Sequence, residues 1–446
     1  MKTKKIAIIG AGITGLSAAH RLEKKGHEVH LFERRAESGG SIKTVKQDDW
    51  LVEYGPNTLL VKDVLVIDLI KDLGLQSEML IANPEASKRF IVKNGTLEPL
   101  PAGFLSAVKT PLFSLSAKLK LLAEPFRPNG TDTDETVASF VERRLGPEFL
   151  DYGINPFVAG IFAGSPDKLS LRHAFPMMKE MEEEHGSLIK AAVKKMTGKK
   201  DPKKVKRQLV SFRKGIQQLP EVIAASLSHL HMSHEVHHIL KDGDKWQLVV
   251  NDLPFTGFDE VLVNIPLYKI PDNLIPQSET EIEKLREVYY PPLSVIVLGF
   301  KKEQITHPMD GFGFLVPEKE ERRILGSLFS STLFPDRVPE RHVLITTFVG
   351  GSRQPELASL DSEVLIEMVQ EELTELIGLK GEAVFKDHIF WPKSIPQYTV
   401  GYDRYLQEME KITEKNPGIH LIGNFREGIS VPDCIKNGII CAEMIG

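Results

Sequence analysis

Apolar positions in this chain fall into short runs whose period changes along the sequence. Lys5–Ile9 is a β-branched run suited to a strand buried on both faces. Ile13–Lys25 then repeats apolar residues at helical spacing, with Leu16, Ala19 and Leu22 on one face, and Gly26 closes the helix. His27–Phe32 reads as a second strand that ends at Glu33. Farther along, Leu293–Phe300 and His342–Val349 predict strands, and Asp361–Ile377 a helix. Ile419–Gly423 predicts another strand and Pro432–Ile445 a closing helix. Residues 95–205 differ: they carry helical periodicity, several prolines and few strand signals. Strand–helix alternation at both ends, with a strand-rich stretch between, defines an α/β chain.

Between the first strand and the first helix stands Gly10-Ala11-Gly12-Ile13-Thr14-Gly15. Glycines at this spacing let the backbone approach a pyrophosphate, and the helix start supplies oriented N–H groups and a positive dipole end. Glu33 follows at the distance where an acid accepts ribose hydroxyls. The same context argues that the apolar run after Lys2, Lys4 and Lys5 is strand, turn and helix rather than the core of a secretion signal. The motif alone does not separate FAD from NAD. Gly39-Gly40 adds a second close approach to phosphate, and Lys43 a cation. Glu53-Tyr54-Gly55-Pro56-Asn57 is a rigid turn able to lie along a flat ring. Asp433 favours the start of the last helix, a second positive end that could receive the pyrimidine edge of an isoalloxazine.

Composition narrows the picture only a little. The chain has 446 residues, 41% hydrophobic and 26% charged, an ordinary globular balance of two large domains or about three smaller ones. A net charge of −5 gives no basic surplus for nucleic acid. No apolar stretch reaches the ~18 residues of a membrane span. The two cysteines, Cys434 and Cys441, would sit about 10 Å apart along a helix, too far for a disulfide, which suits a reduced, cytosol-facing compartment. Leu105–Leu122 mixes apolar residues with Lys109, Lys118 and Lys120, an amphipathic stretch rather than a spanning one. Lys190–Lys214 is strongly basic, with Lys194, Lys195, Lys199, Lys200, Lys203, Lys204, Lys206, Arg207 and Arg213 between its ends and Asp201 alone against them. It lacks the interleaved aromatics of a nucleic-acid surface and suits an anionic membrane. His229, His231, His234, His237 and His238 cluster, but alternation along strands keeps them from converging as metal ligands, so no metal site is expected.

On these residues the sequence resembles the FAD-dependent protoporphyrinogen oxidase family, which also covers coproporphyrinogen III oxidases, within the amine-oxidase-like flavoproteins. Gly10–Gly15, Glu33 and Gly39-Gly40 carry the wider likeness. The narrower one rests on Leu145–Glu148 with Gly160–Gly164, Gly311–Pro317, Leu325–Ser331, Phe334–Arg337, Thr346–Arg353, Ile395–Tyr398 and Val431–Cys434.

The resemblance implies a Rossmann-like FAD-binding domain of the p-hydroxybenzoate-hydroxylase type, a mixed-sheet substrate domain and a helical membrane-associated insertion. Combined with the periodicity, it places the flavin domain at 1–65, 208–265 and 385–446. The substrate domain falls at 66–94 and 266–384, and the helical region at 95–207. By resemblance Gly10, Ala11, Gly12, Ile13, Thr14 and Gly15 line non-covalent FAD, with Glu33, Arg34, Gly40, Ser41 and Lys43. Gly55, Pro56, Asn57 and Thr58 join them, Val236 lies near the adenine, Trp391 near the flavin, and Ile429, Ser430 and Val431 at its pyrimidine edge. Arg89 pairs with a substrate propionate, Leu315, Leu328 and Phe348 sandwich a tetrapyrrole, and the backbone of Gly160 faces the ring centre. Taken alone, Arg89 reads as a strand arginine and the three apolar residues as core.

The implied activity is oxidation of protoporphyrinogen IX to protoporphyrin IX with O2 as acceptor, giving hydrogen peroxide. No side chain stands out as the proton acceptor. Peripheral membrane contact at the cytoplasmic side and a homodimer follow from the resemblance. Coproporphyrinogen III oxidation by the same machinery is the nearest alternative. An amine oxidase and a non-enzymatic prenyl carrier on the same fold are more distant ones.

Overall fold

The computed structural model describes residues 2–101, 104–197 and 205–445. Its amino-terminal strand, Lys5–Ile9, is the centre of a five-stranded parallel sheet. Glu28–Glu33 and then His229–Met232 lie on one side, and Glu260–Val263 and then Ile419–Leu421 on the other. Side chains alternate across this sheet. Ile6, Ile8, Leu31 and Leu262 enter a core shared with helices Ile13–Lys24, Val64–Asp72, Gln218–Ser226 and Val431–Ile445. Ala7, Ile9, Phe32 and Val263 face the opposite core, under the antiparallel meander Val236–Asp242, Lys245–Val250, Leu253–Phe258.

A seven-stranded mixed sheet forms the second layer. Its order is Phe385–Trp391, Leu293–Lys301, His342–Gly350, Gly326–Phe329, Gly311–Leu315, Lys88–Lys93 and Thr96–Pro99. Only Gly311–Leu315 and Lys88–Lys93 run parallel. One face buries Phe90, Phe314, Phe329, Ile296 and Ile345 against helix Ser362–Ile377. The other face looks toward the strand Trp50–Glu53 and the helix Asn155–Phe162.

The domain boundaries differ from those expected in four places. Val66, Leu69, Ile70 and Leu75 lie in the glycine-loop core, and Met79–Ile81 pairs with Gln208–Phe212, so 66–81 belongs with the first layer. Leu267, Ile282, Leu285 and Tyr290 pack in the other core of the parallel sheet. Thr96–Pro99 is a strand, not part of the helical region. Phe385–Trp391 is an edge strand of the seven-stranded sheet, paired along Leu293–Gly299. Three of these discrepancies rest on long-range packing or pairing, which the local period of a segment does not encode. The fourth, Thr96–Pro99, is a local hairpin with Lys88–Lys93 that turns at Asn94-Gly95.

The helical region is stapled to the parallel-sheet layer: Val137, Phe140, Val158 and Phe162 share a core with Tyr398 and Phe425. Inside it Arg144 is fully buried and ion-paired to Glu124, while Glu182 pairs with Arg143 at 2.7 Å. Burial alone would push the Glu124 carboxyl up. Ser187, the N–H groups of Leu188 and Ile189, and Arg144 together hold it below its ordinary value. The stretch 105–122 is two helices, Phe104–Lys109 and Leu115–Leu122, because Pro111 cannot continue the first. Lys190, Lys194 and Lys195 lie on helix Leu188–Thr197, whereas Lys199, Lys200, Lys203 and Lys204 fall outside the described residues. Among the described residues no helix is long and apolar enough to cross a membrane.

Candidate active site

The glycine loop is held by a residue that periodicity did not single out. Asn264 follows the strand Glu260–Val263 and donates from Nδ2 to the carbonyls of Gly10 and Gly12 at 3.1 and 3.3 Å. Gly10 has φ +105°, and a Cβ there would lie 2.4 Å from the Asn264 carbonyl oxygen. Glu33 accepts from the N–H of Ala11 at 2.8 Å and of Arg35 at 2.9 Å, which ties the end of its strand to the loop. The Gly39 N–H donates to the Ala11 carbonyl at 2.8 Å, and a Cβ on Gly40 would stand 3.4 Å from the Gly12 Cα. Two bare backbones therefore meet in a cradle that side chains would fill. This arrangement fits a pyrophosphate.

The remaining positions expected at the cofactor are placed by the following contacts. Gly55 sits so close to Ser41 that a Cβ would lie 2.0 Å from the Ser41 carbonyl oxygen. Asn57 donates to the Gly55 carbonyl at 3.1 Å and stiffens the turn carrying Pro56 and Thr58. The Lys43 carbonyl accepts the Tyr54 N–H at 2.9 Å. Trp391 Nε1 donates to the Tyr54 carbonyl at 2.9 Å, so this distant tryptophan does reach the turn. Val236 is buried two residues beyond His234, whose N–H donates to the Glu33 carbonyl at 2.8 Å. Arg34 is half-exposed and faces Glu235 at 3.9 Å.

Helix Val431–Ile445 begins after Ile429 and Ser430, and the Ser430 Oγ accepts the Asp433 N–H at 3.2 Å. This helix runs parallel to Ile13–Lys24: Gly438 faces Thr14, and Glu443 bonds Arg21 at 2.5 Å. Both positive helix starts, at Ile13 and Val431, thus lie at one end of the pair. Tyr398 braces the preceding loop, donating to the Asn424 carbonyl at 2.6 Å and accepting the Gly428 N–H at 3.2 Å. Cys434 is buried in the same helix, and burial pushes its thiol up to about 12.

The residues expected at the substrate share one face of the seven-stranded sheet. Register aligns Leu315, Gly326, Phe348, Val295 and Ile389 in one transverse row. The adjacent row runs Arg89, Gly313, Leu328, Thr346, Val297 and Asp387. Paired residues point to the same side, so Arg89, Leu315, Leu328 and Phe348 form one wall. All three apolar members are half-buried rather than core. Gly160 stands over the wall, where a Cβ would fall 2.6 Å from Leu315 Cδ2. Arg89 is exposed, lies over the Phe312 ring at 5.2 Å and has no carboxylate ion-pair partner among the described residues. Arg353 anchors the covering helix, donating to Asn155 Oδ1 and the Val316 carbonyl, both at 2.9 Å.

The histidines assemble as a stack, with His30 and His229 rings 4.5 Å apart and His30 Nδ1 3.1 Å from His231 Nε2. His238 turns elsewhere, toward the Asn273 carbonyl.

A parallel sheet with a glycine cradle, two convergent helix starts and an apolar wall fits an oxidoreductase of the flavoprotein class. The chain matches the family model for flavin containing amine oxidoreductase over residues 13–445. It is 35% identical to the mitochondrial protoporphyrinogen oxidase of Nicotiana tabacum, over 99% of this chain and 94% of that protein. It is 30% identical to the coproporphyrinogen III oxidase of Bacillus subtilis (strain 168), over 98% and 96%. A crystal structure from Exiguobacterium sp. 255-15 shares the fold, with TM-score 0.84, 24% identity and coverage of 100% and 99%. Reduced UDP-galactopyranose mutase does so at TM-score 0.74 and 18% identity, over 100% and 94%. The chain belongs to the flavin-containing amine oxidoreductases, in the branch that holds the protoporphyrinogen and coproporphyrinogen III oxidases, and is an FAD-dependent enzyme.

Proposed function

We propose that this enzyme oxidises protoporphyrinogen IX to protoporphyrin IX, a six-electron change, with O2 as final acceptor and hydrogen peroxide as product. The observation that carries the reading is the wall: three half-buried apolar side chains in two adjacent rows, with a guanidinium at one end that has no carboxylate partner among the described residues. A flat apolar ring with carboxylate tails needs this combination of surface and fixed cation.

FAD, held by the glycine cradle, the Glu33 carboxylate, the Gly55–Thr58 turn and the 429–431 helix start, supplies the two-electron acceptor. The chain's own residues bind and orient. Arg89 takes a propionate. Leu315, Leu328 and Phe348 hold the macrocycle and exclude water. The bare backbone at Gly160 lets the ring approach the covering helix. A porphyrinogen with propionates on every side would need cations around the wall. Arg89 is the one cation in the two rows, whose other members are apolar residues, glycines, Thr346 and Asp387, which favours the vinyl-bearing substrate over coproporphyrinogen III.

The test is anaerobic bleaching of the bound flavin by each porphyrinogen, followed by admission of air. Faster bleaching by protoporphyrinogen IX with peroxide release supports the proposal. Preference for coproporphyrinogen III moves the substrate, and bleaching by neither refutes the porphyrinogen reading.

The helical region supplies a docking surface for the cytoplasmic face of a membrane. Leu115, Leu122, Phe126 and Met196 are 73, 67, 86 and 85% exposed. Lys120, Lys194 and Lys195 lie on the helices that carry Leu115, Leu122 and Met196. Apolar insertion plus cations suits an anionic lipid surface, at about 1 kcal/mol per cation near the lipid.

A further inference from the structure

The turn expected against the flavin ring is held from the substrate-side layer at two consecutive residues. Glu53 ends the strand Trp50–Glu53, is 2% exposed, and pairs with Arg337 at 3.0 Å. Thr44 Oγ1 and the Ile216 N–H also donate to its carboxylate, at 2.6 and 2.9 Å. Tyr54, next in the chain, points to the edge strand Phe385–Trp391. Its hydroxyl donates to Asp387 Oδ2 at 2.5 Å, and its carbonyl accepts Trp391 Nε1 at 2.9 Å. Asp387 is fixed in turn by the His388 N–H, 2.8 Å from its Oδ1. Burial and the Asp387 carboxylate both push the Tyr54 hydroxyl up, so it remains a donor. The strand that holds Asp387 also carries Ile389, which lies in the row of Phe348 and Leu315. One strand therefore touches both the porphyrinogen wall and the flavin-side turn.

We propose that Asp387 is a positioning residue that, through Tyr54, sets the turn 55–58 relative to the porphyrinogen wall and so sets the gap between cofactor and substrate. This rests on the functional reading above and adds a residue that acts through another side chain. A gap error of about 1 Å costs up to about 100-fold in rate, which makes such a brace kinetically visible.

The experiment uses the full-length holoenzyme and the variants Tyr54→Phe, Asp387→Leu, Asp387→Asn and the double Tyr54→Phe/Asp387→Leu. Visible absorption of the bound flavin is recorded first, without substrate, and anaerobic reduction by protoporphyrinogen IX follows. Tyr54→Phe and Asp387→Leu displace the flavin bands and slow reduction by about 10- to 100-fold, with KM changed less than about twofold. The double variant is no slower than Asp387→Leu, because the two side chains form one contact. Asp387→Asn keeps an acceptor for the Tyr54 hydroxyl and retains most of the rate. Unchanged bands in both single variants overturn the proposal, as do additive losses. An Asp387→Asn enzyme as slow as Asp387→Leu also overturns it and makes Asp387 a proton acceptor instead. If no porphyrinogen bleaches the wild-type flavin, the functional reading fails, and the band displacement alone decides the brace.

Discussion

Gly160 and Leu315 touch across the substrate wall: a Cβ on the glycine would lie 2.6 Å from Leu315 Cδ2. The contact joins a helix of the helical region to a strand of the seven-stranded sheet. Gly160→Ala improves helix propensity by about 1 kcal/mol but displaces the Leu315 side chain. We expect a melting temperature equal to or above wild type and a raised KM for porphyrinogen. Thermal unfolding and steady-state kinetics on the same preparation separate the two effects, and a fall in stability with unchanged KM would contradict the assignment.

The role proposed for Arg89 is orientation rather than fold. It is exposed and ion-paired with nothing among the described residues, so Arg89→Ala leaves no buried charge behind. A charge-assisted hydrogen bond is worth about 1.5–3 kcal/mol, so kcat/KM should fall about 10- to 100-fold. FAD content, read from the flavin absorbance of purified protein, should stay at wild-type level. Loss of both together would remove the propionate role.

Arg337→Met leaves the Glu53 carboxylate buried without its cation. Breaking such a pair costs about 3–5 kcal/mol. Adding Glu53→Gln should recover part of the loss, because the uncompensated charge is then gone. Thermal unfolding of wild type, both singles and the double closes the cycle. Independent, additive losses would show that the two side chains are not coupled.

The histidine stack makes stability fall in acid. Burial, and then the neighbouring His30, His234 and His229, lower the His231 pKa from 6.5 to about 4. Protons therefore bind the unfolded chain first, and stability present above pH 6.5 is lost as pH falls toward 4. His231→Phe keeps the ring packing and removes the titration. Its melting temperature should vary less with pH between 6.5 and 4 than that of the wild type, and parallel curves would rule out the stack as the source.

Membrane docking through the exposed apolar helices predicts a charge-sensitive loss. Leu119 is exposed on the same helix as Leu122, and Leu119→Glu with Leu122→Glu should reduce sedimentation with phosphatidylserine vesicles, while raised salt should weaken wild-type binding. Turnover on dispersed substrate should be unaltered. Equal sedimentation of variant and wild type would move the docking surface elsewhere.

What the sequence determined by itself was local. The run from Lys5 to Glu33 specifies strand, glycine turn, helix and strand within thirty residues, and every contact needed to read it is close in sequence. The closing helix after Ser430 and the strand after Leu293 are legible for the same reason: period and punctuation suffice. Asn264 left a faint trace, a polar residue at the end of a buried strand, but its bonds to Gly10 and Gly12 span about 250 positions. The tertiary structure alone decided how far-separated strands align. A strand's alternation shows which of its residues share a face, but not which strand pairs with it or in what register. Hence the residues taken alone gave Arg89 as a strand arginine and Leu315, Leu328 and Phe348 as core; only family resemblance grouped them, and only pairing set them in adjacent rows. Tyr54 and Asp387 are 333 residues apart and carry no joint pattern, yet a single hydrogen bond between them links the turn that begins at Gly55 to the sheet. Phe385–Trp391 was assigned to the wrong layer for the same physical reason: its partner, Leu293–Lys301, is chosen by hydrogen bonding and packing across the whole fold.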